Sequence, residues 1–253
     1  MSAGSSSARS DSSLSIVILA AGQGKRMKSD LPKVLQPLAG RPLLGHVIST
    51  AQSLNPASVH VVFGHGGDRV REAFAADSEL QWALQAEQLG TGHAVQQALP
   101  ALNDDAIALI LYGDVPLIRA DTLANLLALA GEGAMSLLTV MLDDPTGYGR
   151  IVRDAGGNVV GIVEHRDASP DELKIREINT GIYLFDSTLF GPALKGIGTN
   201  NSQAEYYLTD VVAVLASAGH SVGSVIAPAS ETAGVNDPLQ LAEAEREMLR
   251  RNA

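Results

Sequence analysis

The chain has 253 residues, 45% of them hydrophobic and 18% charged, which suits a folded globular protein able to bury a large core. It contains no cysteine, which excludes disulfides and thiolate chemistry and fits a reducing compartment. A net charge of −10 argues against general nucleic-acid binding.

Residues 1–14 are Ser-rich and lack the apolar core of a secretory signal, so they read as a disordered tail. Residues 15–20 form a short β-branched apolar run, expected of a strand buried on both faces, and lead directly into a glycine-rich turn, residues 21–27. Pro32, Pro37 and Pro42 keep the next stretch irregular, because each removes a backbone donor and restrains its predecessor. Residues 43–54 place Leu43, Leu44, Val47, Ile48 and Ala51 on one helical face. Strands at 58–63, 80–84, 106–111 and 134–142 then alternate with helices at 68–75, 91–98 and 121–130. Such alternation implies βαβ units and a mainly parallel sheet covered on both faces, with ligands bound beyond the carboxyl ends of the strands.

From Gly149 the pattern changes to strand-like segments at 150–153, 158–164 and 178–186, expected as a small antiparallel addition beside the ligand edge of the sheet. A helix at 207–218 and a strand at 221–227 follow. Residues 211–230 carry no Asp, Glu, Lys or Arg, but Gly219, His220, Ser221 and Gly223 break the run, so no membrane span is expected there. Asp237-Pro238 is an N-cap with proline at the first helical position, which predicts a last helix to about Leu249. No internal repeat is visible, and the simplest organisation is one α/β domain over 15–236 followed by a helix or linker at 237–253.

Between Gln23 and Arg41 lie five basic residues, Lys25, Arg26, Lys28, Lys33 and Arg41, against one acid, Asp30. A basic segment on an acidic chain is a candidate site for a small polyanion. The turn beginning at Gly22 is neither a dinucleotide fingerprint, because Met27 takes the third glycine position, nor a P-loop, because Arg26 follows Gly24-Lys25. What remains is a glycine turn whose N–H groups can face phosphate, with Arg26 and Lys33 available to neutralise it. Asp114 follows a buried strand and a glycine, and a hard oxygen ligand at that edge suits Mg²⁺; a turn cap is the alternative. His65, His93 and the pair Asp143-Asp144 lack partners at ligand spacing and read as structural.

The stretch Leu19-Ala-Ala-Gly-Gln-Gly-Lys-Arg-Met27 with Leu31-Pro-Lys-Val34 resembles the signature of the sugar-nucleotide pyrophosphorylase family. Within it, nearly the whole chain after Ser15 is similar to the uridylyltransferase domain of bacterial bifunctional N-acetylglucosamine-1-phosphate uridyltransferases. The blocks are Gln85-Ala-Glu-Gln-Leu-Gly-Thr-Gly-His-Ala94, Tyr112-Gly-Asp-Val-Pro-Leu117, Asp144-Pro-Thr-Gly-Tyr-Gly-Arg150, Ile162-Val-Glu-His165, Glu177-Ile-Asn-Thr-Gly-Ile182, Glu205-Tyr-Tyr-Leu-Thr-Asp210 and Gly234-Val-Asn236. Lys25, where Thr is commonest, and Ala204, where Gly often stands, depart from the pattern without touching a residue assigned to chemistry.

The resemblance implies a Rossmann-like nucleotide-diphospho-sugar transferase fold, and a cytoplasmic enzyme supplying peptidoglycan and lipopolysaccharide precursors. It implies Mg²⁺ on Asp114 and Asn236, and catalytic charge stabilisation by Arg26 and Lys33. Substrate contacts are expected from Leu19, Ala20, Ala21, Gly22, Lys33, Gln85, Gly90, Thr91, Tyr112, Gly113, Asp114, Gly149, Glu164, Asn179 and Asn236. Among these, Gln85 and the Gly90-Thr91 turn are implied to hold uracil, and Gly149, Glu164 and Asn179 the amino sugar. The partners implied are UTP, N-acetylglucosamine-1-phosphate, UDP-N-acetylglucosamine and pyrophosphate, with no nucleic acid and no membrane. The left-handed β-helix acetyltransferase domain of the bifunctional family has no counterpart here, so acetyl transfer and its trimer are not expected, and a monomer or weak oligomer is. Transfer to another base or sugar, and a non-catalytic nucleotide-sugar sensor, remain as alternatives.

Overall fold

The computed structural model describes residues 13–22, 24–64, 67–102 and 107–252. Most of the Ser-rich segment, Gln23, His65 and the expected first residue of the strand at 106 lie outside them.

One nine-stranded sheet organises the chain. Its centre is β1 (Leu14–Ala20), hydrogen-bonded in parallel to β4 (Ser58–Gly64) on one side and to β6 (Ile107–Tyr112) on the other. β5 (Leu80–Gln85) extends the parallel array beyond β4. On the far side, β10 (Glu177–Asp186) runs antiparallel to both β6 and β7 (Met135–Met141), and β11 (Val222–Ile226) pairs in parallel with β7. The antiparallel addition is therefore smaller than the sequence predicts. Residues 178–186, expected within it, form a central strand, and only the hairpin of β8 (Arg150–Arg153) and β9 (Val159–Val163) projects from the main path. β2 (Pro37–Leu38) and β3 (Arg41–Pro42) make a minimal second sheet in the proline-rich stretch read as irregular.

Alternation along β1 shows why its side chains are apolar on both faces. Ile16 and Ile18 pack with α1 (Leu43–Gln52), α2 (Asp68–Ala73) and α4 (Ala120–Leu127) on one side. Val17 and Leu19 pack with α3 (Thr91–Ala98), α5 (Ser187–Gly196) and α6 (Asp210–Ser217) on the other. The uncharged run at 211–230 divides into α6, β11 and the short α7 (Ala229–Thr232), and among the described residues no helix is long and apolar enough to cross a membrane. α8 (Pro238–Asn252) starts as expected, with the Asp237 carboxylate accepting from Gln240 N at 2.9 Å, and it seats Ala244, Leu241 and Met248 against Leu38, Leu43 and Leu117.

Parallel register sets the site. Leu19 lies beside Tyr112 and Gly64 beside Gln85, so the carboxyl ends of β1, β6, β4 and β5 share one edge of the sheet. That edge is where an open α/β sheet leaves room for a ligand.

Candidate active site

A cleft of about 330 Å³ opens at this edge. Leu19, Ala20, Ala21 and Gly22 line it from the end of β1 and the turn after it, Gln85 from the end of β5, Gly90 and Thr91 from the start of α3, Tyr112 and Asp114 from the end of β6, and Lys33 and Asn236 from flanking segments. Gly113 lies buried beneath, its N–H donating to Leu19 O at 2.9 Å and binding the end of β6 to the end of β1. Gln88 and Glu205 also line the cleft, although no role was expected of them. Gln88 gives its side-chain amide to Ala21 O at 2.7 Å, clasping the β5–α3 loop to the glycine turn. A polar residue within a recognised block was the only available signal for either.

Lys33 begins a 3₁₀ turn whose next residues, Val34 and Leu35, are buried and fix where its stem emerges. Its ammonium donates to the Asp114 carboxylate and, at 2.9 Å, to Asn236 Oδ1. Both acceptors are held from behind. Asp114 O accepts from Val235 N at 2.8 Å, and Asn236 N donates to Gln240 Oε1 at 2.8 Å. Two hard oxygens thus converge on a single cation, and that donor set fits Mg²⁺, which takes few protein ligands beside phosphates and water. Among the described residues there is no group of three or more His, Asp or Glu side chains around a common metal position. Arg26, the other basic side chain expected to meet phosphate, is exposed and is not among the residues lining the cleft, and Arg41 of the same basic segment is tied to Gly45 O and Ser49 Oγ of α1.

Gln85 is 3% exposed and its orientation is decided by its neighbours. Gly90 O can only accept, so the amide nitrogen faces it, at 3.0 Å, with His93 Nδ1 3.2 Å from the same nitrogen. Oε1 is left without a hydrogen-bond donor among the described residues and is the group that can receive one from a ligand. Gly90 itself has φ 113° and ψ 175°, and a Cβ there would lie 2.5 Å from Tyr206 O and 2.8 Å from Tyr206 N. Only glycine permits the 205–206 segment to close over this turn.

Gly149, Glu164 and Asn179 form a second cluster. Asn179 N donates to Gly149 O at 2.9 Å, and a Cβ on Gly149 would reach within 3.4 Å of the Glu164 carboxylate, so the missing side chain opens space beside it. Asn179 Nδ2 donates to Tyr183 Oη at 2.7 Å, and Thr209 Oγ1, also not anticipated, donates to Glu164 at 3.2 Å. Burial pushes the Glu164 carboxyl above its usual range, with the Thr209 bond opposing and Asp167 and Asp210 adding to the rise. Tyr112 stands between the two clusters. Burial, then the charges of Asp114 and Glu164, push its phenol well up, so it stays a neutral donor. Asp144, by contrast, caps a turn, accepting from Thr146 N at 3.1 Å, as its position before Pro145 suggested.

Residues 16–155 match the family described as the MobA-like NTP transferase domain. The chain is similar to the bifunctional protein GlmU of Stenotrophomonas maltophilia, 55% identical over 242 residues that make up 94% of this chain and 52% of that protein. The bifunctional protein GlmU of Azotobacter vinelandii is 58% identical over 235 residues, 92% of this chain and 51% of the relative. The chain therefore spans about half the length of the curated relatives it matches. A Bacillus anthracis crystal structure described as a glucose-1-phosphate thymidylyltransferase in complex with a sucrose superposes with a TM-score of 0.72 at 19% identity, covering 95% of this chain and 96% of that one. At that identity the likeness bears on the fold: a mixed, mainly parallel α/β sheet of nucleotidyltransferase type with a small antiparallel hairpin.

Proposed function

The chain belongs to the MobA-like NTP transferase domain family, and on that premise we propose that it joins the UMP of UTP to N-acetylglucosamine-1-phosphate, giving UDP-N-acetylglucosamine, a cell-wall precursor, and pyrophosphate. The observation that carries this reading is the meeting of Lys33, Asp114 and Asn236 at the strand-end edge, beside a glycine turn and a buried amide. The similarity to GlmU over 94% of the chain supports the choice of uridylyl transfer.

The reaction needs no enzyme nucleophile, because a sugar phosphate, with its second pKa near about 6, is already anionic at neutral pH. One of its oxygens attacks the α-phosphorus of UTP in line; that P–O bond forms while the bond to the β-phosphate bridging oxygen breaks, and pyrophosphate leaves with the electron pair. Positioning and charge neutralisation are what the protein contributes. The N–H groups of the Ala21–Gly22 turn face the phosphates, and Lys33 stabilises negative charge at the α-phosphate as the leaving group departs. Arg26, which is exposed, is assigned the outer phosphates. Asp114 and Asn236 would hold Mg²⁺, which when bound neutralises phosphate charge. Gln85 Oε1 accepts from the uracil N3–H, and Gly149, Glu164 and Asn179 receive the amino sugar, the carboxylate for hydroxyls and the amide for hydroxyl or acetamido groups. A sensor that only binds nucleotide sugars has no need for a lysine shared between two oxygen ligands.

The test is pyrophosphate release from a matrix of UTP, dTTP, CTP and ATP against N-acetylglucosamine-1-phosphate, glucosamine-1-phosphate and glucose-1-phosphate in Mg²⁺. UTP with N-acetylglucosamine-1-phosphate should be fastest. A preference for dTTP or for glucose-1-phosphate would overturn the assignment.

A further inference from the structure

Arg150 is the largest of the fully buried side chains, 1% exposed, and it forms no ion pair among the described residues. Its neighbours across the strands are Val163 on β9 and Ile178 on β10, so an aliphatic residue would suit the position. The charge of Asp144, on an exposed turn, acts on Arg150 electrostatically, but among the described residues no carboxylate pairs with it directly. A buried cation without such a pair works against stability, and replacing it by a well-packed apolar group is often neutral or favourable. The contacts of Arg150 therefore indicate a purpose other than holding the fold together.

One terminal nitrogen donates to the Tyr148 carbonyl, the other lies 3.4 Å from His165 Nδ1, and Nε is buried with no partner. These two contacts share one feature. Tyr148 immediately precedes Gly149, and His165 immediately follows Glu164. Gly149 and Glu164 face each other closely enough that a Cβ on the first would lie 3.4 Å from the carboxylate of the second. The guanidinium thus ties the outer neighbours of both residues together where the β8–β9 hairpin leaves the sheet, and Ile178, opposite Arg150, adjoins Asn179.

We infer that Arg150 is a positioning residue for the sugar-phosphate subsite, setting the separation of Gly149 from Glu164 through Tyr148 and His165 without touching substrate. This rests on the reading of Gly149, Glu164 and Asn179 as that subsite. The planar fork matters as much as the charge, because lysine offers one compact head where two directions must be met.

The experiment compares Arg150→Met, Arg150→Lys and the milder His165→Ala, with Glu164→Gln as reference, measuring KM for each substrate, kcat, UTP affinity by calorimetry, and Tm. Arg150→Met should match or exceed the parent in Tm, yet raise KM for the sugar phosphate about tenfold, roughly 1.4 kcal/mol. KM and Kd for UTP should stay within about twofold, a shift under roughly 0.5 kcal/mol. Arg150→Lys should fail to restore the sugar KM, and His165→Ala should raise it less, which preserves the test should the arginine variants not fold. An unchanged sugar KM in folded Arg150→Met, or an equal rise for both substrates, overturns the positioning role. If Glu164→Gln also leaves the sugar KM unchanged, the subsite reading itself falls. If Glu164→Gln raises it and the Arg150 and His165 variants do not, only the positioning role falls.

Discussion

Gly90→Ala probes how the cleft is closed. The backbone at Gly90, φ 113° and ψ 175°, lies in a region that is almost exclusive to glycine, and holding alanine there costs on the order of 1–3 kcal/mol. The new Cβ would also sit 2.5 Å from Tyr206 O and 2.8 Å from Tyr206 N. Neither atom is free to retreat alone: Tyr206 N donates to Leu89 O at 2.8 Å, and Tyr206 O accepts from Gly92 N at 2.8 Å. Losing both bonds adds about 0.5–1.5 kcal/mol apiece. The expected destabilisation is therefore about 2–6 kcal/mol, toward the lower end if the 205–206 segment shifts as a unit. Denaturant unfolding followed through Trp82, the single tryptophan, reads this directly, and calorimetric UTP binding should weaken at least about tenfold. Gly131→Ala is the control, since φ is 83° there with no atom within 4 Å of the added carbon. It should cost about 1 kcal/mol and leave UTP binding intact. Stability within about 0.5 kcal/mol of the parent and unchanged UTP binding in Gly90→Ala would refute the steric argument.

Asp114→Ala should lower turnover by orders of magnitude, a loss of several kcal/mol, while circular dichroism stays native and UTP binding suffers less; near-native turnover in Mg²⁺ would remove Asp114 from the mechanism. Gln85→Leu should erode the preference for UTP over CTP, because cytosine N3 accepts and cannot pair with Oε1; an unaltered UTP/CTP ratio of kcat/KM would show that Gln85 does not read the base. Glu164 has its folded pKa raised by burial, so the protein gains stability from its protonation below the unfolded value and loses it as pH rises through the folded one. Glu164→Gln should accordingly flatten this fall in Tm on the alkaline side of the ordinary carboxylate range and weaken sugar-phosphate binding. A parallel pH–Tm curve in the variant would contradict the assignment of that loss to Glu164.

The parallel half of the sheet was legible because β1, β4 and β6 are apolar on both faces and each is bounded by glycine, proline or a helix signal. Length and alternation alone could not place residues 178–186, since an apolar run has the same appearance in a projecting hairpin and in an antiparallel strand between two others. α5 was missed because Gly191-Pro192 looks like a turn. Its start is nonetheless marked by Asp186, which accepts from Thr188 N at 3.0 Å, and Phe190, Ala193 and Leu194 bury one face strongly enough to keep the helix through the proline. The helix expected from residue 207 begins at Asp210, because Tyr207 and Leu208 are buried in the approach segment, with Leu208 N held by Thr91 Oγ1. In the site, the ordered blocks pointed to Lys33, Asp114 and Asn236, which meet across 203 residues of sequence. Gln88 and Thr209 escaped because their parts depend on partners, Ala21 O and Glu164, distant along the chain.

The most direct test of the central claim is mass-spectrometric product analysis of the chain incubated with UTP, N-acetylglucosamine-1-phosphate and Mg²⁺. The account predicts one UDP-N-acetylglucosamine for each pyrophosphate released, with both lost in Lys33→Ala. Pyrophosphate accompanied by UMP and no nucleotide sugar, or no turnover of UTP with any sugar phosphate by folded protein, would contradict it.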